Sequence, residues 1–123
     1  MTQQTPSIGG CWSYADGTVF STVCFTGGGG GTFNLEYAAE DAERGLIKGS
    51  CNARITLDAS ETDRIAFTVP FQERACRQED VVFRVAQREY DCALSGASMA
   101  CSLTVYADDG SIYAEAEGLE YSR

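Results

Sequence analysis

The chain has 123 residues, 44% of them apolar, which suits one domain around one core. Formal net charge is −9 and the isoelectric point lies near 4.3. A field of that sign repels nucleic acid and anionic lipid, and no apolar run is long enough to cross a bilayer, so neither nucleic acid nor membrane insertion is expected.

Six cysteines stand at 11, 24, 51, 76, 92 and 101, with no Cys-x-x-Cys pair and no histidine anywhere. Zinc fingers and thioredoxin-like motifs therefore find no support. An even number at broad spacing reads as three disulfides, which implies the periplasm or the extracellular space. The polar start, Met1 to Pro6, lacks the basic and apolar regions of a signal peptide. The expectation is a removed leader, a flexible arm over residues 1–7, and a single domain over 8–123.

The dominant pattern is alternation, with turn residues at short intervals. The first stretch runs from Ile8 to about Ala15, and the second from Thr18 to Phe25. A tight turn centred on Asp16-Gly17 places Tyr14 opposite Val19, Trp12 opposite Ser21 and Ile8 opposite Phe25. Gly27 to Gly31 read as a flexible hairpin tip, since the Lys-Ser/Thr of a phosphate loop is missing. The third stretch, Thr32 to Tyr37, puts Phe33, Leu35 and Tyr37 inward. Ala38 to Arg44 reads as a loop or one helical turn. The fourth stretch, Leu46 to Leu57, carries Ile47, Cys51, Ala53, Ile55 and Leu57 in one phase. The fifth, Arg64 to Phe71, alternates most cleanly through Ile65, Phe67, Val69 and Phe71.

Gln72 to Asp80 reads as a charged loop holding Cys76 between Arg74 and Arg77. The sixth stretch, Val81 to Leu94, has ends out of phase: Phe83 and Val85 suggest one register, Tyr90, Cys92 and Leu94 the other, and a β-bulge reconciles them. A turn at Gly96-Ala97 pairs Cys92 with Cys101, Leu94 with Met99 and Tyr90 with Leu103. A last turn at Asp109-Gly110 pairs Val105 with Ala114 and Leu103 with Ala116. The run Asp108-Asp109-Gly110 lacks the ligand spacing of a calcium loop and reads as a turn.

Hairpin connections of this kind favour a meander, and closing a meander removes its two exposed edges. The expected fold is all-β: an antiparallel up-and-down β-barrel of about eight strands, with a β-sandwich as the alternative. In such a meander the simplest pairing is Cys11–Cys24, Cys51–Cys76 and Cys92–Cys101. Only the last follows from a hairpin register; Cys11 and Cys24 sit diagonally and need local twist.

The triplet Gly10-Cys11-Trp12 resembles the G-x-W motif that opens lipocalin-like barrels, including small bacterial inhibitors of secreted metalloproteases. The resemblance implies that Trp12 closes one barrel end, with an arginine from the last strand region packed on it, a part that Arg123 can take. The tight Asp16-Gly17 turn departs from lipocalins, where that first loop is usually a long lid.

No catalytic constellation stands out. Serine or cysteine nucleophiles lack a histidine partner, no acidic pair is distinguished among the 18 Asp and Glu, and Lys48, the single lysine, has no neighbour that perturbs it. The chain is not expected to be an enzyme or to carry a cofactor or metal. The inward aromatic set, Trp12, Tyr14, Phe33, Tyr37, Phe67, Phe71 and Tyr90, either fills a small barrel or lines a pocket for a small apolar molecule. Bulky rings in a short chain favour filling. Two partners follow: a small apolar ligand in the barrel, or a secreted protein, such as an enzyme to be inhibited, met by the loops or the N-terminal arm.

Overall fold

A computed structural model describes residues 9–26, 30–43, 45–61, 63–70, 72–85, 87–107 and 109–123, with backbone alone at 39, 41, 73 and 83–85. The proposed arm and Phe71 lie outside the described residues. Among the described residues ten antiparallel strands follow in chain order: β1 (Gly10–Ala15), β2 (Val19–Phe25), β3 (Gly30–Asp41), β4 (Gly45–Ser60), β5 (Arg64–Val69), β6 (Gln72–Gln78), β7 (Val81–Val85), β8 (Arg88–Ser95), β9 (Ser98–Tyr106) and β10 (Ile112–Ser122).

The sheet closes rather than splitting into a sandwich. β1-β2-β3-β4-β5-β8-β9-β10 form an eight-stranded barrel, and β10 returns to β1. The two remaining strands, β6 and β7, extend the β5–β8 ribbon. Val69 lies opposite Arg88, and three residues further along Gln72 lies opposite Val85 in the same register. This ribbon corrects the expected loop at Gln72–Asp80. The segment is a strand and a turn, because its edge pairs with the first half of the long β4 at Gly49–Gln78, Ser50–Arg77 and Cys51–Cys76.

Between those pairs and the β4–β5 pairing at Thr56–Thr68, the Gln72 side chain bridges the gap. Its amide donates to the Arg54 carbonyl at 2.7 Å and accepts from the Arg54 N–H at 3.0 Å, as a backbone amide does in a ladder. The sixth stretch is interrupted between Val85 and Arg88. A bulge in the same ribbon falls in β6, where Gln72 to Cys76 spans four residues against two in β7, and Arg74 takes φ +61°. Ala38 to Asp41 continue β3 instead of forming a helical turn, since each pairs with β4 down to Asp41–Gly45.

The first hairpin is displaced by two residues from its expected register. Trp12 opposes Val23, Tyr14 opposes Ser21 and Cys11 lies directly opposite Cys24. The cause is the Asp16 carboxylate. It accepts from the N–H groups of Thr18 (3.1 Å) and Val19 (2.9 Å), and Gly17 takes φ +97°, so the turn is wider than a two-residue loop. A slip of two keeps every side chain on its face, so the inward set survives. It also removes the diagonal geometry expected for the first disulfide.

At the other end of β2, Gly31 sits so close to the Cys24 carbonyl that a Cβ there meets its oxygen at 2.1 Å. Glycine is thus required within the strand, and Gly30 and Gly31 belong to β3 rather than to the tip. The β8–β9 and upper β9–β10 registers are those expected, including Cys92–Cys101 and Val105–Ala114. Below Ala116 a bulge at Gly118, φ +72°, advances β10 by one residue. Leu119 then faces Cys101 and Tyr121 faces Met99, both on the inner wall.

All three disulfides are formed between the expected partners, and among the described residues there is no free cysteine. Such bonds are compatible with an oxidising compartment. Non-reducing peptide mapping should recover Cys11–Cys24, Cys51–Cys76 and Cys92–Cys101. The last bond closes a short loop inside a paired hairpin. Cys92→Ala/Cys101→Ala should therefore fold and lose about 2–3 kcal/mol in a denaturant melt.

Candidate functional site: the open half of the barrel

The inward side chains divide the barrel into a filled floor and an open mouth. The floor is the end reached by the start of β1, the end of β2 and the chain's C-terminus. Trp12, Val23, Phe25, Ile65 and Met99 are all buried there. The Arg123 guanidinium lies 4.3 Å from the centroid of the Trp12 ring, and its Nη1 donates to the Gly9 carbonyl at 2.9 Å. The two residues that the opening motif singles out thus meet across the chain, and the cation caps the indole from outside.

Above the floor runs a column of rings. Phe25 meets Phe67 edge-on at 5.3 Å, Phe67 stacks on Tyr90 at 4.7 Å, and Tyr90 meets Tyr121 edge-on at 6.4 Å. Tyr14 lies 5.5 Å beyond Tyr121, towards the mouth. Here the packing stops, and a cavity of about 490 Å3 opens among Tyr14, Val19, Leu35, Tyr37, Arg88, Tyr90, Leu103, Leu119 and Tyr121. The expectation of a completely filled interior holds for the floor alone. Small residues explain the space: Ser21, Gly49 and Ala116 occupy inward positions near the mouth. At Gly49 the Tyr37 ring lies flat on the backbone, 2.2 Å from where a Cβ would stand.

Most polar groups around the cavity are already engaged. Tyr121 Oη donates to Ser21 Oγ at 2.9 Å, Tyr37 Oη to Gln78 Oε1 at 2.8 Å, and Tyr14 Oη to Asp16 Oδ2 at 3.1 Å. Backbone N–H groups of Thr18 and Val19 hold the Asp16 carboxyl below its ordinary pKa, so it stays ionised at the rim. Burial, with Tyr90 nearby, pushes the Tyr121 hydroxyl well above its usual value of 10.0. Arg88 differs from these groups. Its Nε is shielded from solvent without a hydrogen-bond partner, and its guanidinium lies 5.8 Å over the Phe33 ring.

A second concavity, about 630 Å3, lies on the outer wall near the mouth and shares Val19 and Tyr37 with the first. Phe20, Glu36, Lys48, Arg77 and Glu79 border it, with charges of both signs. It is the larger space but the more open one. Enclosure by apolar walls, which removes ligand surface from water, favours the interior cavity as the binding site. The rim has one further property. The exposed large apolar residues among the described ones, Phe20, Leu46, Val81, Ile112 and Tyr113, all lie within the first two residues of strands that leave mouth-end turns.

Of the aromatic set picked from the sequence, Tyr14, Tyr37 and Tyr90 line the cavity. Trp12 and Phe67 belong to the buried packing below it, and Phe33 supports Arg88. Arg88 and Tyr121 escaped the sequence reading. Arg88 was detectable, being in phase with Tyr90 and Cys92. Tyr121 was not, because the Gly118 bulge reverses the phase of the last strand. No family model, curated protein or solved structure matches this chain.

Trp12 is the only tryptophan and is 1% exposed, so its emission reports the floor. It should be blue-shifted and poorly quenched by iodide. Trp12→Ala should cost about 3–5 kcal/mol and Arg123→Ala about 1 kcal/mol in a melt.

Tyr121 yields a pH signature. Its pKa is raised in the folded state, so its contribution to stability is complete below about pH 10 and is lost as pH rises further. The stability difference between wild type and Tyr121→Phe, from urea melts across neutral to alkaline pH, should shrink above about pH 10.

Proposed function

We propose that this protein is an exported binding protein that takes a small apolar ligand into the mouth half of its barrel. The observation that carries the reading is the division of the interior. One end is plugged by Trp12 under Arg123, and the other holds an open cavity of about 490 Å3 walled by aromatic and aliphatic side chains. A cavity that had only to stabilise the barrel is better filled, because each void forfeits packing energy. The three disulfides support a periplasmic or extracellular setting, where a rigid, pre-formed pocket needs no partner to hold it open. The resemblance of Gly10-Cys11-Trp12 to lipocalin-like openings points the same way.

A second reading draws on the apolar rim. Phe20, Leu46, Val81, Ile112 and Tyr113 give the mouth side chains of the kind enriched at protein contacts, so a secreted protein partner at that end is the alternative.

Titration with the neutral fluorophore phenylnaphthylamine separates the two. Binding within the barrel predicts an enhanced emission. Ala116→Trp, which places a bulky ring in the cavity, should reduce that emission at least about tenfold at equal concentration while the disulfides still form. Unchanged binding in Ala116→Trp would move the site out of the barrel and leave the rim as the better candidate.

A further inference from the structure

We infer that the ligand of the interior cavity is an organic monoanion, an apolar body ending in one carboxylate, which Arg88 receives; this rests on the cavity being the binding site. Arg88 enters from β8 on the inner wall, one inward position above Tyr90. Its Nε is buried with no hydrogen-bond partner, and among the described residues no carboxylate pairs with it. The half-buried guanidinium thus faces the cavity with one N–H shielded from water and no compensating anion, an arrangement that an incoming anion would complete. Three other donors of the lining do not share this condition. The hydroxyls of Tyr14, Tyr37 and Tyr121 are each spent on a neighbour.

The surrounding charges sharpen the choice of head group. The chain carries −9, so an anion gains nothing from the protein as a whole and must be held by a local cation. Among the described residues only the Asp16 carboxylate faces the same space with opposite sign, and it sits at the rim, held by Thr18, Val19 and Tyr14. One guanidinium balances one negative charge. Its planar fork matches a carboxylate, which accepts two parallel hydrogen bonds. Phosphate monoesters bring a second charge that no described lining residue offsets. The apolar remainder then lies against Leu35, Leu103 and Leu119.

Competition against phenylnaphthylamine tests the inference with three ligands of equal length: decanoate, its neutral amide decanamide, and decylammonium. For the unmodified protein decanoate should displace the fluorophore about 10- to 100-fold better than decanamide, and decylammonium should be the weakest. In Arg88→Met, which retains the length of the side chain without its charge, the preference for decanoate over decanamide should vanish while phenylnaphthylamine still binds. Arg88→Lys should restore part of it. Equal displacement by decanoate and decanamide in the unmodified protein overturns the anion assignment and leaves the cavity reading standing. A preference that persists in Arg88→Met overturns the role of Arg88. Absence of any binding, of fluorophore or decanoate by calorimetry, overturns both.

Discussion

The barrel depends on its seam. Seven of the eight joins around the ring are ladders of several pairs, but β1 and β10 share a single register pair, Ser13–Ser122. Side chains supply what the ladder lacks. From inside, Tyr121 of β10 passes under β1 to donate to Ser21 of β2, with Tyr14 of β1 against its ring. At the floor, Arg123 leaves the end of β10, covers Trp12 of β1 and hydrogen-bonds the Gly9 carbonyl. Both devices require the phase of β10 to change before its end. Gly118, at positive φ, makes that change cheaply because it carries no Cβ. Without it Glu120 would take the place of Tyr121 on the inner wall, and a closed barrel would bury an unpaired carboxylate.

The same seam sets the division of the interior. Trp12 and the rings beneath Tyr90 occupy the floor half, where closure demands dense packing. Towards the mouth, inward positions pass to Ser21, Gly49 and Ala116, and the wall recedes. The Cys51–Cys76 bond then ties the β6–β7 extension to β4 beside the cavity, at the place where β4 has only three backbone pairs with β6. On the proposed reading, a pocket bounded by a disulfide, a ring column and a plugged floor is pre-organised for its ligand. Such pre-organisation lowers the entropic cost of binding.

How much of this was legible in the sequence depended on whether the signal was local. Alternation in β5, with Ile65, Phe67 and Val69 inward, is a period-two signal that needs no partner strand to be read. The β8–β9 hairpin was legible because a short turn, two cysteines and two apolar pairs agree on one register. The β1–β2 register was not, because Asp16 widens the turn through its side chain, a choice that spacing does not reveal. Charge misled at Gln72–Gln78. Its polar residues look like a loop, yet Gln72 uses its amide as a strand uses its backbone.

The sequence by itself determined the class of the fold, the Cys92–Cys101 pair and most of the inward set, because strand alternation and hairpin turns are local and a two-residue slip leaves faces unchanged. Tertiary structure alone decided closure, the bulges and the cavity. Closure is a pairing between the two ends of the chain, and a bulge is one residue whose cost depends on what the reversed phase brings inside. The cavity is a difference between the volume that the strands enclose and the volume that their side chains occupy. Arg88 shows the limit most directly. Its inward phase was legible in the sequence, but only the folded wall shielded its Nε from solvent without a hydrogen-bond partner.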